Sequence, residues 1–141
     1  MYIMKKRTPI STIMTTDLIT ISVNESLETV EKLFKENNIR HIPVVENKKI
    51  IGMLSYTDLL RISFADITDD EQNVDTFVYD MFTVEQVMAK DVFVVSSYAT
   101  IKDVSELLSK KEFHALPIVE DNELVGIVTT TDLIKYLVDQ L

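Results

Sequence analysis

Cysteine is absent from the 141-residue chain, and that alone excludes disulfides, thiolate catalysis, zinc ribbons and iron–sulfur clusters. Long apolar runs are missing too: no stretch approaches the ~18 residues a membrane-spanning helix needs. Lys5-Lys6-Arg7 has no apolar segment behind it, so Met1 to Met14 does not read as a signal peptide. Basic charge is scarce. Lysine and arginine number 14 against 23 acids, and the formal charge of −9 disfavours binding to a phosphate backbone. It does not exclude a small anion held in a local pocket. No P-loop, G-x-G-x-x-G, H-E-x-x-H or G-x-S-x-G motif occurs. The expectation is a soluble cytoplasmic protein that is not an enzyme, with no cofactor or metal and no nucleic-acid or membrane partner.

What is present is a globular composition, 46% hydrophobic and 26% charged, which rules out bulk disorder. The length allows one domain, or two small ones sharing a core. A repeat at an offset of 74 residues organises it. "IMTTDLITIS" (13–22) matches "VMAKDVFVVS" (87–96), and "IRHIPVVENKKIIGMLSYTDLLR" (39–61) matches "FHALPIVEDNELVGIVTTTDLIK" (113–135). From Met14 to Arg61 the copies align without a gap, and 12 of 48 positions are identical, among them Met14, Pro43, Gly52, Thr57 and Asp58. A gapless match of that length indicates duplication of one structural unit.

Each copy reads as helical turn–β–α–β–β–α. The turns fall at Pro9 to Met14 and Val84 to Met88. Thr8 is the expected N-cap ahead of Pro9, and Thr83 with Gln86 has capping-box spacing. Short β-branched or aromatic strands follow at Leu18 to Ser22 and Val92 to Ser96. The helices after them carry stripes at spacings of three and four: Leu27, Val30, Leu33 and Phe34, then Ile101, Val104, Leu107 and Leu108, with Ser26 and Thr100 as caps. Two strands, Ile42 to Val45 and Ile50 to Ser55, flank the turn-like "ENKK", matched by "EDNE" in the second copy. A last helix starts near Thr57-Asp58 and again near Thr131-Asp132. The domain boundaries are therefore 8–62 for the first repeat, 63–82 for an acidic connector and 83–141 for the second repeat. The connector interleaves Phe64, Ile67, Val74, Phe77 and Val78 with acids, and reads as a partly helical piece packed on the module or on a partner subunit, the alternative being a loosely docked surface loop.

The sharpest motif is Gly52-Met53-Leu54-Ser55-Tyr56-Thr57-Asp58, repeated as Gly126-Ile127-Val128-Thr129-Thr130-Thr131-Asp132. It sits where a strand ends and a helix begins. Free N–H groups and the helix dipole there suit an anion, and Ser55 and Thr129 add a hydroxyl. Asp58 and Asp132 repel phosphate but can accept from two neighbouring ribose hydroxyls. The alternative is that both aspartates only favour a helix terminus, with Thr57 and Thr131 as caps. The chain's two glycines fall at the same repeat position, which points to a steric reason: close approach of the sister repeat or of a ligand, or a bulge.

This pattern resembles a tandem pair of CBS domains, named for cystathionine β-synthase, over residues 8 to 138. The resemblance implies an α+β fold in which each repeat is a three-stranded sheet with two helices, the repeats being related by a pseudo-twofold axis. It implies binding of an adenosine-containing ligand in clefts between the repeats: AMP, ADP, ATP, S-adenosylmethionine or cyclic di-AMP. It implies a homodimer and regulation of a target protein, reached in trans because the chain shows only the pair. Ser55 and Thr129 would face phosphate, and Asp58 and Asp132 would bind ribose. Arg40, His41 and His114 match positions that can contribute phosphate-binding groups, although such a histidine can equally be half-buried core and Arg40 can pair with a surface acid. The adenine would lie along Thr20, Ile21 and Ser22, or Val94, Val95 and Ser96, through backbone hydrogen bonds. Val23 and Ser97 stand where the family often has proline. The first repeat has two basic candidates and the second has His114 beside Ala115, so the two sites are expected to differ, the Asp58 site taking the more highly charged phosphate. The competing reading is a structural protein–protein interaction module with vestigial clefts.

Overall fold

The computed structural model describes residues 7–64 and 79–141. Most of the connector expected at 63–82, including Ile67, Val74, Phe77 and Val78, lies outside the described residues, as does Lys5-Lys6. The fold is α+β. A 3₁₀ turn (Ile10–Thr12) precedes α1 (Leu27–Asn37), β1 (His41–Glu46), β2 (Lys49–Ser55) and α2 (Tyr56–Phe64). Then come α3 (Val84–Val87), β3 (Val95–Ser96), α4 (Ile101–Lys110), β4 (Ala115–Glu120), β5 (Glu123–Thr129) and α5 (Thr130–Gln140). Among the described residues no helix is long and apolar enough to cross a membrane.

Local chemistry accounts for most of these boundaries. Ser26 Oγ accepts from Thr29 N–H at 3.1 Å to start α1, and Asn38, left-handed at φ 53°, ends it. Thr83 with Gln86 and Thr100 with Asp103 form complete capping boxes. Thr8 is not a cap: Pro9 itself occupies that position, and no side chain closes the 3₁₀ turn. Each hairpin closes through two residues, Asn47-Lys48 and Asp121-Asn122, all at positive φ, as a type I′ turn requires. The first strands are shorter than their composition predicts. Of Leu18 to Ser22 only Ile21 bridges β1, beside Val44, and of Val92 to Ser96 only Val95–Ser96 pairs with β4.

The chain forms two compact units, and they cut across the repeats. One is Ile19–Val92; the other joins residues up to Leu18 with Phe93–Leu141. In the first, Ile21, β1 and β2 lie side by side, and Ala89 bridges Met53 on the far edge through hydrogen bonds of 2.8 and 3.0 Å. In the second, β3, β4 and β5 are joined by Thr15, which bridges Ile127 at 2.8 and 3.0 Å. The leader ahead of each repeat thus completes the sheet formed by the other repeat's strands. The two cores follow suit: Val84 and Met88 are buried with Phe34, Ile42 and Leu54, while Ile10 is buried with Val104, Leu116 and Val128.

The glycines find their explanation here. Neither has positive φ, so conformational freedom is not their role. A Cβ on Gly52 would run into the Met88 thioether, and one on Gly126 would come within 2.5 Å of the Met14 sulfur and 3.2 Å of the Thr15 carbonyl. Met14 and Met88 are themselves equivalent repeat positions, so the two identities, glycine and methionine, are one packing device used twice.

Tyr79 ties the chain back to α1. It is buried, and its hydroxyl donates to Glu31 Oε2, while Glu31 Oε1 accepts from Lys35 Nζ at 2.8 Å. Burial pushes the Glu31 carboxyl up, but the Lys35 and Tyr79 hydrogen bonds and the Lys35 charge outweigh it, and the net shift is downward. A depressed carboxyl contributes stability that is present above its unfolded value, about 4.3, and is lost as pH falls through the lower folded value. Urea unfolding should therefore show Tyr79→Phe less stable by about 1–2 kcal/mol at pH 7. Glu31→Gln should lose less stability than wild type between pH 5 and pH 3; identical acid-side slopes would refute the role of this cluster.

Candidate functional site

In the unit Ile19–Val92, the strand pairing assembles four of the expected residues. His41 lies opposite Ser55 across β1 and β2, and the Tyr56 N–H donates to the Arg40 carbonyl at 2.8 Å. Ser55 Oγ accepts from the Asp58 N–H at 3.0 Å. Arg40, His41, Ser55 and Asp58 thus meet at the start of α2, where the Tyr56 ring packs edge-on against Phe34 of α1 at 5.3 Å and anchors that start. Arg40 is exposed, and the other three are half-buried. Asp58 Oδ1 lies 3.6 Å from Arg61 Nη1, a solvated pair of little stabilising value that places a second cation beside the carboxylate.

Ile21 is buried, and its N–H and carbonyl both bond β1, to Pro43 O at 3.1 Å and Val45 N–H at 2.9 Å. Thr20 and Ser22 on either side are exposed, and the Ser22 carbonyl accepts from the Glu25 N–H at 3.3 Å. Both backbone groups of Ile21 are thus engaged by β1.

The other unit repeats the arrangement with different chemistry. Ala115 lies opposite Thr129, and the Thr130 N–H donates to the His114 carbonyl at 3.1 Å. Thr129 Oγ1 accepts from the Asp132 N–H at 3.2 Å, and Asp132 Oδ2 accepts from the Thr129 N–H at 2.9 Å. His114 is exposed; Thr129 and Asp132 are half-buried. Val95 is buried and faces β4, whereas Val94 is 40% exposed.

The helix caps are therefore Ser55 and Thr129, not Thr57 and Thr131, which are exposed on the first turns. The strand ends at Ser55 as expected, but the helices begin at Tyr56 and Thr130, one residue ahead of Thr57 and Thr131, which moves the cap onto the strand's last hydroxyl. That hydroxyl uses a lone pair on the helix and keeps its proton to donate. The Arg61 partner of Asp58 was not anticipated, although its i,i+3 spacing on a helix signals it.

Duplicated α+β units that end in the same strand–hydroxyl–x–x–carboxylate corner define a tandem-repeat module. The chain belongs to the CBS domain family, whose model matches residues 10–65 and again 84–139. It is 32% identical to the CBS domain-containing protein YhcV of Bacillus subtilis over 120 residues, 85% of this chain and 79% of YhcV. It is 34% identical to MJ0188 of Methanocaldococcus jannaschii over 93% of this chain but 44% of that protein, so the chain spans less than half the length of some curated relatives it matches. Among solved structures it is similar to CBSX2 in complex with AMP, with a TM-score of 0.77 and 21% identity over 94% of this chain and 97% of that one. It is also similar to the CBS domain pair of MJ0100 in complex with 5′-methylthioadenosine and S-adenosyl-L-methionine, with a TM-score of 0.78 and 24% identity over 95% and 98%. At these identities the structural likeness is one of fold.

Proposed function

We propose that the protein is a regulatory module that binds an adenosine-containing ligand and signals to a partner protein in trans, without catalysing a reaction. The observation that carries this is the pairing of a helix-capping hydroxyl with a carboxylate, Ser55 with Asp58 and Thr129 with Asp132, at the same corner of both units. A hydroxyl and N-terminal amides suit a phosphate, and the carboxylate suits vicinal ribose hydroxyls. The adenosyl ligands named for CBSX2 and MJ0100 support that class of ligand. Arg40 and His41 favour a polyphosphate such as ATP at the Asp58 corner, and His114 beside Ala115 favours AMP, S-adenosylmethionine or a nucleoside at the Asp132 corner. Homodimerisation is supported by the apolar groove of about 750 Å³ between α4 and α5, lined by Leu108, Leu133 and Leu137, with Ile134 and Val138 exposed nearby.

The test is thermal unfolding against AMP, ADP, ATP, S-adenosylmethionine and cyclic di-AMP, with GMP and GTP as controls. At 100 times its dissociation constant a ligand adds roughly 2.7 kcal/mol, a shift on the order of 8 °C for a chain this size. No shift from any adenine compound at millimolar concentration would overturn the proposal and favour an interaction module without ligand.

A further inference from the structure

Ile10 and Val84 are equivalent repeat positions, each buried in the core of the unit its leader completes. Five residues ahead of Val84 stands Tyr79. It is buried in the same core as Phe34 of α1 and Leu59 of α2, which are 2% and 0% exposed, and its hydroxyl donates to Glu31. Chain ahead of the second leader thus covers the helices of the unit that this leader completes.

In the other unit the repeat equivalents of Glu31, Phe34 and Leu59 are Ser105, Leu108 and Leu133. All three line the groove of about 750 Å³ between α4 and α5, and Leu133 is half-buried where Leu59 is fully covered. The place that Tyr79 fills in one unit is a groove in the other. Of its lining residues only Lys102 is charged, so the groove suits an apolar occupant.

Direction and length point to one occupant. Pro9 pairs antiparallel with Thr100; the Ile10 N–H donates to the Ala99 carbonyl at 2.7 Å, and the Thr8 carbonyl accepts from the Ile101 N–H at 2.9 Å. Followed backwards, the chain passes Ile101, a groove residue, heading the way α4 runs. Residues 1–6, ahead of the described chain, span up to about 20 Å when extended, against about 15 Å for the ten residues of α4. Five residues back from Ile10 is Lys5, and Tyr2, Ile3 and Met4 just before it supply the apolar side chains that lysine does not.

We propose that residues 2–4 seat in the α4–α5 groove of their own chain, against Ser105, Leu108 and Leu133, as the counterpart of Tyr79 in the first unit. The seated segment pins the leader of the first repeat. It involves no ligand and stands apart from the adenosyl reading. Val138 and Leu141, exposed and outside the groove lining, remain for the second copy proposed above.

The chain has no tryptophan, so Tyr2→Trp makes a single fluorescent reporter of the segment. The expected result is blue-shifted emission shielded from acrylamide in the full chain, at every protein concentration. Leu137→Asp puts a charge on the groove wall at a residue 48% exposed, and should return the emission to that of a solvated indole. Replacing Tyr2, Ile3 and Met4 together by serine should lower the thermal midpoint by about 5 °C. A solvated indole beside the intact groove, burial that survives Leu137→Asp, or an unchanged midpoint would each overturn the proposal. Burial lost on dilution would give the groove to a second copy and equally refute seating within one chain.

Discussion

Gly52→Ala and Gly126→Ala are each expected to lower stability by about 1–3 kcal/mol, the usual range for adding a carbon to a filled core. For a chain of this length that is roughly 3–10 °C in the midpoint of thermal unfolding. The cause is steric and comes from the neighbour, since the backbone at both positions is conformationally ordinary. The two sites differ in what can relieve the clash. Every close contact at Gly52 is with the Met88 side chain, so Met88→Ala in the Gly52→Ala background should recover most of the loss caused by the glycine change. At Gly126 a Cβ also comes within 3.2 Å of the Thr15 carbonyl, which is held by two hydrogen bonds to Ile127. Met14→Ala should therefore rescue Gly126→Ala only in part. Double-mutant cycles by urea unfolding measure this directly, and additive losses at Gly52 and Met88 would refute the packing account.

The second large effect concerns the carboxylates. Asp58→Asn and Asp132→Asn are each expected to weaken adenosyl binding at their own corner by about 100-fold, because a carboxylate accepting from two hydroxyls forms stronger bonds than an amide oxygen. Asparagine is the informative replacement at position 132. Its side-chain oxygen can still accept from the Thr129 N–H, so the capping box survives, whereas alanine removes the reciprocal half of the box and the ligand contact together and costs about 1 kcal/mol of stability. Only Oδ2 of Asp132 is used in the box, which leaves the chemistry of Oδ1 to the ligand. At Asp58 the Arg61 pair is solvated, so its loss should not move stability measurably. Titration with AMP and ATP of each variant separates the corners. Unchanged affinities in both variants would exclude the aspartates from the site and favour the purely capping role.

The duplication, the α+β order of elements, the helix stripes and three of the caps were legible because each is a short-range property. A 3.6-residue period, a serine three residues ahead of an amide and a polar two-residue turn depend on neighbours in the chain. The motif that places Ser55 with Asp58 and Thr129 with Asp132 was legible for the same reason. The assignment of caps within it was not, since the helix starts are set by bonds across each hairpin, the Tyr56 and Thr130 N–H groups donating to the Arg40 and His114 carbonyls.

The amino-acid sequence by itself determined that this is a doubled unit of the CBS domain family, that a hydroxyl and a carboxylate recur at equivalent helix starts, and that the basic residues beside them differ. Tertiary structure alone decided which leader completes which sheet, why glycine must face methionine, and that Phe93 and Phe113 stay open where Ile19 and Ile39 are packed. The physical reason is that these facts depend on volumes and edges brought together from residues roughly 20 to 110 positions apart, and a one-dimensional pattern carries no record of which surfaces will meet.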